Sequence, residues 1–281
     1  MGLQHRRYVA ISFLPALCVA VLSAFPFASF AEDGSNATYD LPAIKSAGIL
    51  RVAITHFDIP PFHQRRPDGN FIGKDIEFTK ELGDALKVKI ALVDSSPTFD
   101  AVVQTVAKGH ADIGISKLSQ TYDRLAYVRF SEPYVTLRHA LLYNRRVISG
   151  LSNGGSPDIA LRQFAGKIGV IGESAYVDFA TADYPKATVL PFRTWEATID
   201  ALKTGQVDVV YRDEFEVRSV LTHDPAMHVL FGAAIMADRR SFLAAAICDT
   251  CVKLEEFINY FIAQHPRAYS LDELLTISYL N

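Results

Sequence analysis

Short apolar runs alternate with apolar stripes of helical spacing along most of this chain. Residues 49–54 (ILRVAI) and 88–93 read as strands rich in β-branched side chains. Between them Ile76, Leu82 and Leu86 fall on one face of a helix predicted over residues 73–86, with Asp75 and Glu77 near its positive end. Phe99, Val102, Val103 and Val106 mark a second helix, which Gly109 stops. Ile113 and Ile115 then form a buried strand, and residues 138–147 a further strand that leaves this first unit. The order strand, helix, strand, helix, strand predicts a parallel sheet covered by helices.

Residues 149–157 are rich in Gly and Ser and read as a loop. A second unit follows: strands over 167–171, 188–190 and 207–211, and helices opening at residues 172–176, over 194–203 and over 212–221. The units share a motif. Lys108-Gly-His-Ala-Asp112 and Thr204-Gly-Gln-Val-Asp208 each place Gly, two residues and Asp before an apolar strand. Two facing α/β lobes of similar build are the expectation. A strand over 241–247 and helices over 253–265 and 271–279 complete the chain.

The stretch from Asp112 to Arg124 carries the clearest candidate chemistry. A buried strand turns polar at Ser116, Lys117, Ser119 and Thr121 and ends on Arg124. Open α/β sheets bind ligands just past their strands' carboxyl ends. A guanidinium offers a planar fork matched to a carboxylate, and hydroxyls donate or accept beside it. The alternative is a surface arginine after an ST-rich turn.

Composition narrows the class. The formal charge of −3 gives no basic excess for nucleic acid. Residues 1–31 read as a cleaved secretory signal peptide: Arg6 and Arg7, an apolar stretch over 9–22, Pro26, then Ser29 and Ala31. Without Arg6 and Arg7 the 28 basic residues fall to 26 against 31 acidic ones, a mature charge of −5. Later stretches are too short to span a bilayer. Cys248 and Cys251 lack a second Cys/His pair for zinc, and a Cys-x-x-Cys near the C-terminus is misplaced for thioredoxin-like redox work. A local disulfide and two quiet buried thiols both remain open. No cofactor or metal is expected.

Several motifs occur together in order. They are Gly73-Lys-Asp-Ile-Glu-Phe78, Phe99-Asp-Ala-Val-Val103, Gly109-His-Ala-Asp112, Ser119-x-Thr121-x-x-Arg124, Phe130-Ser-x-Pro-Tyr134, and Gly205-x-x-Asp208 leading to Asp213. This set resembles the type II periplasmic solute-binding proteins of family 3, which feed polar amino acids to ABC importers. The resemblance implies an α/β fold of two flavodoxin-like lobes joined by two hinge strands, near residues 138–143 and 231–237. It implies lobe 1 at 40–142 plus 236–281 and lobe 2 at 143–235.

It also implies roles. Arg124 would pair with the ligand's α-carboxylate, and Ser119 would hydrogen-bond its ammonium or carboxylate. The backbone near Ser116 and Lys117 would hold the ammonium, and Asp213, heading a lobe-2 helix, would be its counter-ion. Glu173 and Ser174 would offer N–H groups to the carboxylate. His56 reads as pocket wall or surface loop, and Phe99 as pocket lining or core. Lys74, Ile59 and Lys117 depart from the family pattern, and the 169–174 turn looks one residue short. Lys117 either neutralises a second acidic group on the ligand or faces solvent.

The implied function is a periplasmic, non-enzymatic receptor, monomeric, that closes on a small amino-acid-like solute, an acidic one where Lys117 faces the ligand, for an ABC permease of the inner membrane. Two alternatives stand beside it. One is an accessory or sensory binding protein. The other is a cyclohexadienyl-dehydratase-like enzyme using Glu173 or Glu214 as general acid.

Overall fold

A computed structural model describes residues 40–152, 155–265 and 271–279, with side chains to residue 276 in the last segment. The predicted signal peptide lies outside the described residues. The strands are β1 (Ile49–Thr55), β2 (Gln64–Arg65), β3 (Phe71–Ile72), β4 (Lys89–Ser96), β5 (Ile113–Gly114), β6 (Arg129–Phe130), β7 (Val135–Asn144), β8 (Lys167–Ile171), β9 (Thr188–Phe192), β10 (Val209–Asp213), β11 (Phe231–Leu243) and β12 (Ala246–Ile247).

Each lobe is built on a five-stranded sheet, in order β4-β1-β5-β12-β6 and β9-β8-β10-β7-β11. In both, the first strand lies between the second and third, all parallel, and an antiparallel strand follows. Two long antiparallel strands, β7 and β11, run side by side, with a register shift between Ile235 and Arg240. The residues read as a hinge over 231–237 and a separate strand from 241 are one continuous strand, β11, ending at Leu243.

The shared Gly-x-x-Asp motif has one physical cause. Gly109 and Gly205 take φ of 71° and 74°, a left-handed conformation that lets the chain leave its helix. Asp112 then accepts the Arg51 N–H at 2.7 Å, and Asp208 the Lys167 N–H at 3.1 Å. Each carboxylate thus serves an amide at the start of its lobe's first strand. Helix starts are capped alike: the side chains of Thr98, Ser174, Thr194 and Asp213 each accept a first-turn N–H.

Lobe 2 buries both faces of its sheet, and its strands alternate as period two requires. Leu141, Tyr143, Val209 and Tyr211 pack on one side; Ala140, Leu142 and Val210 pack on the other. The segment expected as a loop over 149–157 is partly helical: Arg145–Ser152 and Pro157–Arg162 are helices. The fully buried Ile148 anchors the first, and the Asn144 side chain accepts the Arg146 N–H at 3.0 Å. Packing of one apolar residue and a local cap outweigh the Gly/Ser composition.

Gly73 starts the helix Lys74–Leu86 at φ 118°. A Cβ there would lie 2.4 Å from the Phe62 carbonyl oxygen. Gly73→Ala is therefore expected to cost about 2–4 kcal/mol. Urea denaturation of the mature protein measures it; a loss under about 0.5 kcal/mol would show that the loop yields.

Candidate ligand-binding cleft

The turn after β5 meets the end of β10 through a single side chain. Lys117 Nζ lies 3.0 Å from Asp213 Oδ2 and 2.5 Å from Glu216 Oε1. Its side chain is 2% exposed, and so is that of Asp213. The ammonium also sits 5.1 Å and 5.0 Å from the ring centroids of Phe62 and Phe215. Burial alone would raise the Asp213 carboxyl. The Lys117 ammonium and the Arg212 guanidinium, with hydrogen bonds from Lys117 and the Glu216 N–H, outweigh it and hold the carboxyl below its usual range.

Lys117 is fixed from below. Its φ of 50° is a left-handed conformation uncommon for a side-chain-bearing residue. The buried Asp75 holds it there, accepting the Lys117 N–H at 2.8 Å and the Tyr134 hydroxyl at 2.8 Å. The Ser116 hydroxyl accepts the Thr55 N–H at 3.2 Å and shares a 3.0 Å hydrogen bond with the Thr55 hydroxyl. The Ser119 hydroxyl is bonded to that of Ser241 at 2.5 Å.

Arg124 is engaged elsewhere. Its Nε and Nη2 donate to Asp100 Oδ1 at 3.0 and 2.7 Å, and its Nη1 to the Ser119 carbonyl at 2.8 Å. Asp123 and Asp178 line the same small cavity as this pair. Burial, then Asp123 and Asp100, raise the Asp178 carboxyl. The Arg124 guanidinium is thus ringed by carboxylates and bonded to Asp100, and Asp213 is bonded to Lys117.

A cavity of about 700 Å³ opens between the lobes. Its walls include Phe57, Phe99, Ile171, Trp195, Phe215 and Arg212. Of the residues expected at the site, His56 and Phe99 line it; Arg124, Asp213, Lys117, Ser116, Ser119, Glu173 and Ser174 do not. His56 is exposed at the rim, its Nδ1 3.1 Å from the Ser96 carbonyl. Phe99 is buried and meets Phe57 edge to face. Glu173 accepts the Thr98 hydroxyl at 3.0 Å, and its carbonyl accepts the Asp100 N–H at 3.2 Å. The Ser174 hydroxyl donates to the Ile171 carbonyl at 2.6 Å and caps the helix Ala175–Asp183. Glu214 is held by Arg138, with Nε and Nη2 contacts of 2.6–3.0 Å.

Arg212 was not among the expected site residues. It is 4% exposed, and its guanidinium carbon lies 5.4 Å from the Phe99 ring centroid and 5.0 Å from that of Tyr176. Its Nε has no hydrogen-bond partner, and the nearest carboxylate oxygens, of Asp213 and Glu216, are 3.8 and 3.9 Å away. The signal that would have found it is strand register: β10 runs through Asp213, so Arg212 ends a strand rather than opening a helix. Cys248 and Cys251 are joined as a disulfide. No cluster able to hold a metal ion occurs among the described residues.

Known proteins resemble this chain in sequence and in fold. The description "Bacterial extracellular solute-binding proteins, family 3" matches residues 50–155. The chain is 25% identical over 208 residues to a probable histidine-binding protein of Neisseria gonorrhoeae, covering 74% of each. It is 26% identical over 190 residues to a cyclohexadienyl dehydratase of Pseudomonas aeruginosa, covering 63% of this chain and 64% of that one. The substrate-binding protein AbpA of Streptococcus pneumoniae, solved with L-arginine, matches with a TM-score of 0.65 at 26% identity, over 85% of this chain and 98% of that one.

Behind Asp213 lies a buried aromatic relay. The Tyr211 hydroxyl donates to Asp183 Oδ2 at 2.7 Å, since a carboxylate only accepts. The Tyr211 hydroxyl oxygen therefore accepts from His139 Nδ1–H at 2.5 Å, leaving the buried Nε2 lone pair without a partner. Burial lowers the His139 pKa from 6.5 to about 4, against the opposing pull of Asp183 and Asp213. The unfolded chain binds this proton more readily. Stability from neutral His139 is therefore complete above about pH 6.5 and is lost as pH falls toward 4, by roughly 2–3 kcal/mol. Urea denaturation across this window should show that slope, and His139→Gln should flatten it.

Proposed function

We propose that this chain, a family 3 bacterial extracellular solute-binding protein, is a monomeric periplasmic receptor that closes its lobes on a small amino-acid-like, acidic solute and presents it to an ABC permease of the inner membrane. The observation that carries the acidic preference is Arg212. A guanidinium taken out of water and left without a partner at its Nε is costly unless a guest supplies an acceptor. It stands at the wall of the inter-lobe cavity, where a carboxylate would accept from its fork. Strands β7 and β11, which pair antiparallel from Val135 opposite Leu243 to Asn144 opposite Phe231, serve as hinges.

The dehydratase reading has less support. Glu173 and Glu214, the acids it would use, do not line the cavity, and Glu214 is clasped by Arg138. A general acid must come within hydrogen-bond reach of the leaving group.

Titration calorimetry of the mature protein against amino acids, dicarboxylates and simple organic acids tests the receptor reading. A bound acid is expected to lose about 2–4 kcal/mol of affinity on Arg212→Gln, as a desolvated charge loses its partner. Unchanged affinity would take Arg212 out of the site.

A further inference from the structure

We propose that the solute is an organic carboxylate with an apolar, ring-sized body and no free α-ammonium group, because Lys117 supplies that ammonium from the protein itself. The inference rests on the receptor reading above and narrows its guest to the carboxylate and carbon frame of an amino acid without the amino group.

Three arrangements lead to it. First, the carboxylate that would hold a guest's ammonium is already taken. Asp213 is bonded to Lys117 Nζ at 3.0 Å, and Glu216 to the same atom at 2.5 Å. A guest ammonium reaching for Asp213 would have to stand beside a buried lysine of like charge, in a region too dry to screen the repulsion. The other acids on the cavity wall, Asp58 and Glu196, are exposed at its rim. Asp58 accepts the Arg65 N–H at 2.9 Å. Carboxylates in water hold an ammonium weakly.

Second, Arg124 does not offer its fork to a guest's α-carboxylate. Asp100 occupies Nε and Nη2, the Ser119 carbonyl occupies Nη1, and Asp123 and Asp178 face the same space. An entering carboxylate would displace one negative group and meet two more. An α-amino acid therefore finds neither of its two anchors.

Third, one buried cation of the cavity lining keeps a donor unused: Arg212 is within ion-pair range of Asp213 and Glu216, at 3.8 and 3.9 Å, but its Nε hydrogen-bonds to neither. The Arg212 guanidinium carbon lies over the rings of Phe99 and Tyr176, 5.4 and 5.0 Å from their centroids. Its Nε donates to nothing in the protein. A single carboxylate meets this fork. Beyond it, Phe57, Phe99, Ile171, Trp195 and Phe215 form an apolar wall suited to the faces and edges of a ring. The cavity, about 700 Å³, is roomy for such a body.

The test compares matched pairs differing only in the amino group: phenylpropionate with phenylalanine, hydroxyphenylpropionate with tyrosine, and glutarate with glutamate. Calorimetry on the mature wild-type protein is expected to find at least one ring-bearing acid about tenfold or more tighter than its amino-acid partner. Amino acids binding as tightly as their partners would overturn this inference and leave the receptor reading standing. Binding of none of the six, with no thermal shift, would overturn both. Glutarate preferred over both ring-bearing acids would overturn the ring-sized body. Lys117→Ser, checked for folding by circular dichroism, removes the resident ammonium and should shrink or reverse the preference. An unchanged preference would remove Lys117 from the explanation, and should the variant not fold, the wild-type ratios decide alone.

Discussion

A lysine ammonium can be withdrawn from water only where acceptors surround it, and the cleft is built to meet that demand. Dehydrating an ammonium costs several kcal/mol, which one surface ion pair does not return. Lys117 finds two carboxylate oxygens within hydrogen-bond range and two aromatic rings at about 5 Å. Phe62 belongs to the same lobe as Lys117, but Asp213, Glu216 and Phe215 belong to the far one, so the interaction that satisfies the charge also ties the lobes together. Thr98 and Glu173 add a second tie at the opposite side of the cleft. The left-handed backbone at Lys117 is part of the same arrangement: without the Asp75 carboxylate under its N–H, the side chain would have no reason to project from that turn.

Much of this architecture is legible in the sequence, because it depends on local periodicity and on motifs whose physics is short-ranged. The helix Lys74–Leu86 follows from its apolar stripe, and the matching of the lobes follows from Gly-x-x-Asp. The cleft is less legible, for specific reasons. Arg212 was hidden by a register question: two residues decide whether it opens a helix or closes a strand. Asp100 reads as an ordinary first-turn acid, and its bond to Arg124 across 24 positions is a tertiary fact. Lys117 was visible as a departure, but its direction depends on Asp75 and on a lobe far away in sequence. The helix Arg145–Ser152 was masked by composition, since one buried isoleucine carries no periodic signal.

Electrostatically, the cleft exchanges partners relative to what its motifs imply. The arginine and the aspartate that a zwitterion would bridge are each closed off by a residue of this chain, Asp100 and Lys117. Each of these pairs sets one positive against one negative side chain within the protein itself. What they alter is the pattern of uncommitted groups. In a dry cleft, recognition follows the group left without a partner rather than the group that is merely charged. On the proposed reading a guest would meet the guanidinium of Arg212, although Arg124 is the arginine the motif points to.

The setting of Arg212 also explains how a buried cation with an unpartnered Nε persists there. Its contacts with Asp213 and Glu216, at 3.8 and 3.9 Å, are too long to be hydrogen bonds yet close enough to offset part of its charge. The rings of Phe99 and Tyr176 add attraction without consuming a donor. Charge compensation and donor satisfaction are thereby separated: the charge of the guanidinium is partly offset while its Nε stays without an acceptor. A site with that property favours an acceptor that brings little extra charge-pairing demand of its own. A carboxylate on an apolar frame meets this condition, whereas a zwitterion adds an ammonium for which the buried wall has no acceptor left.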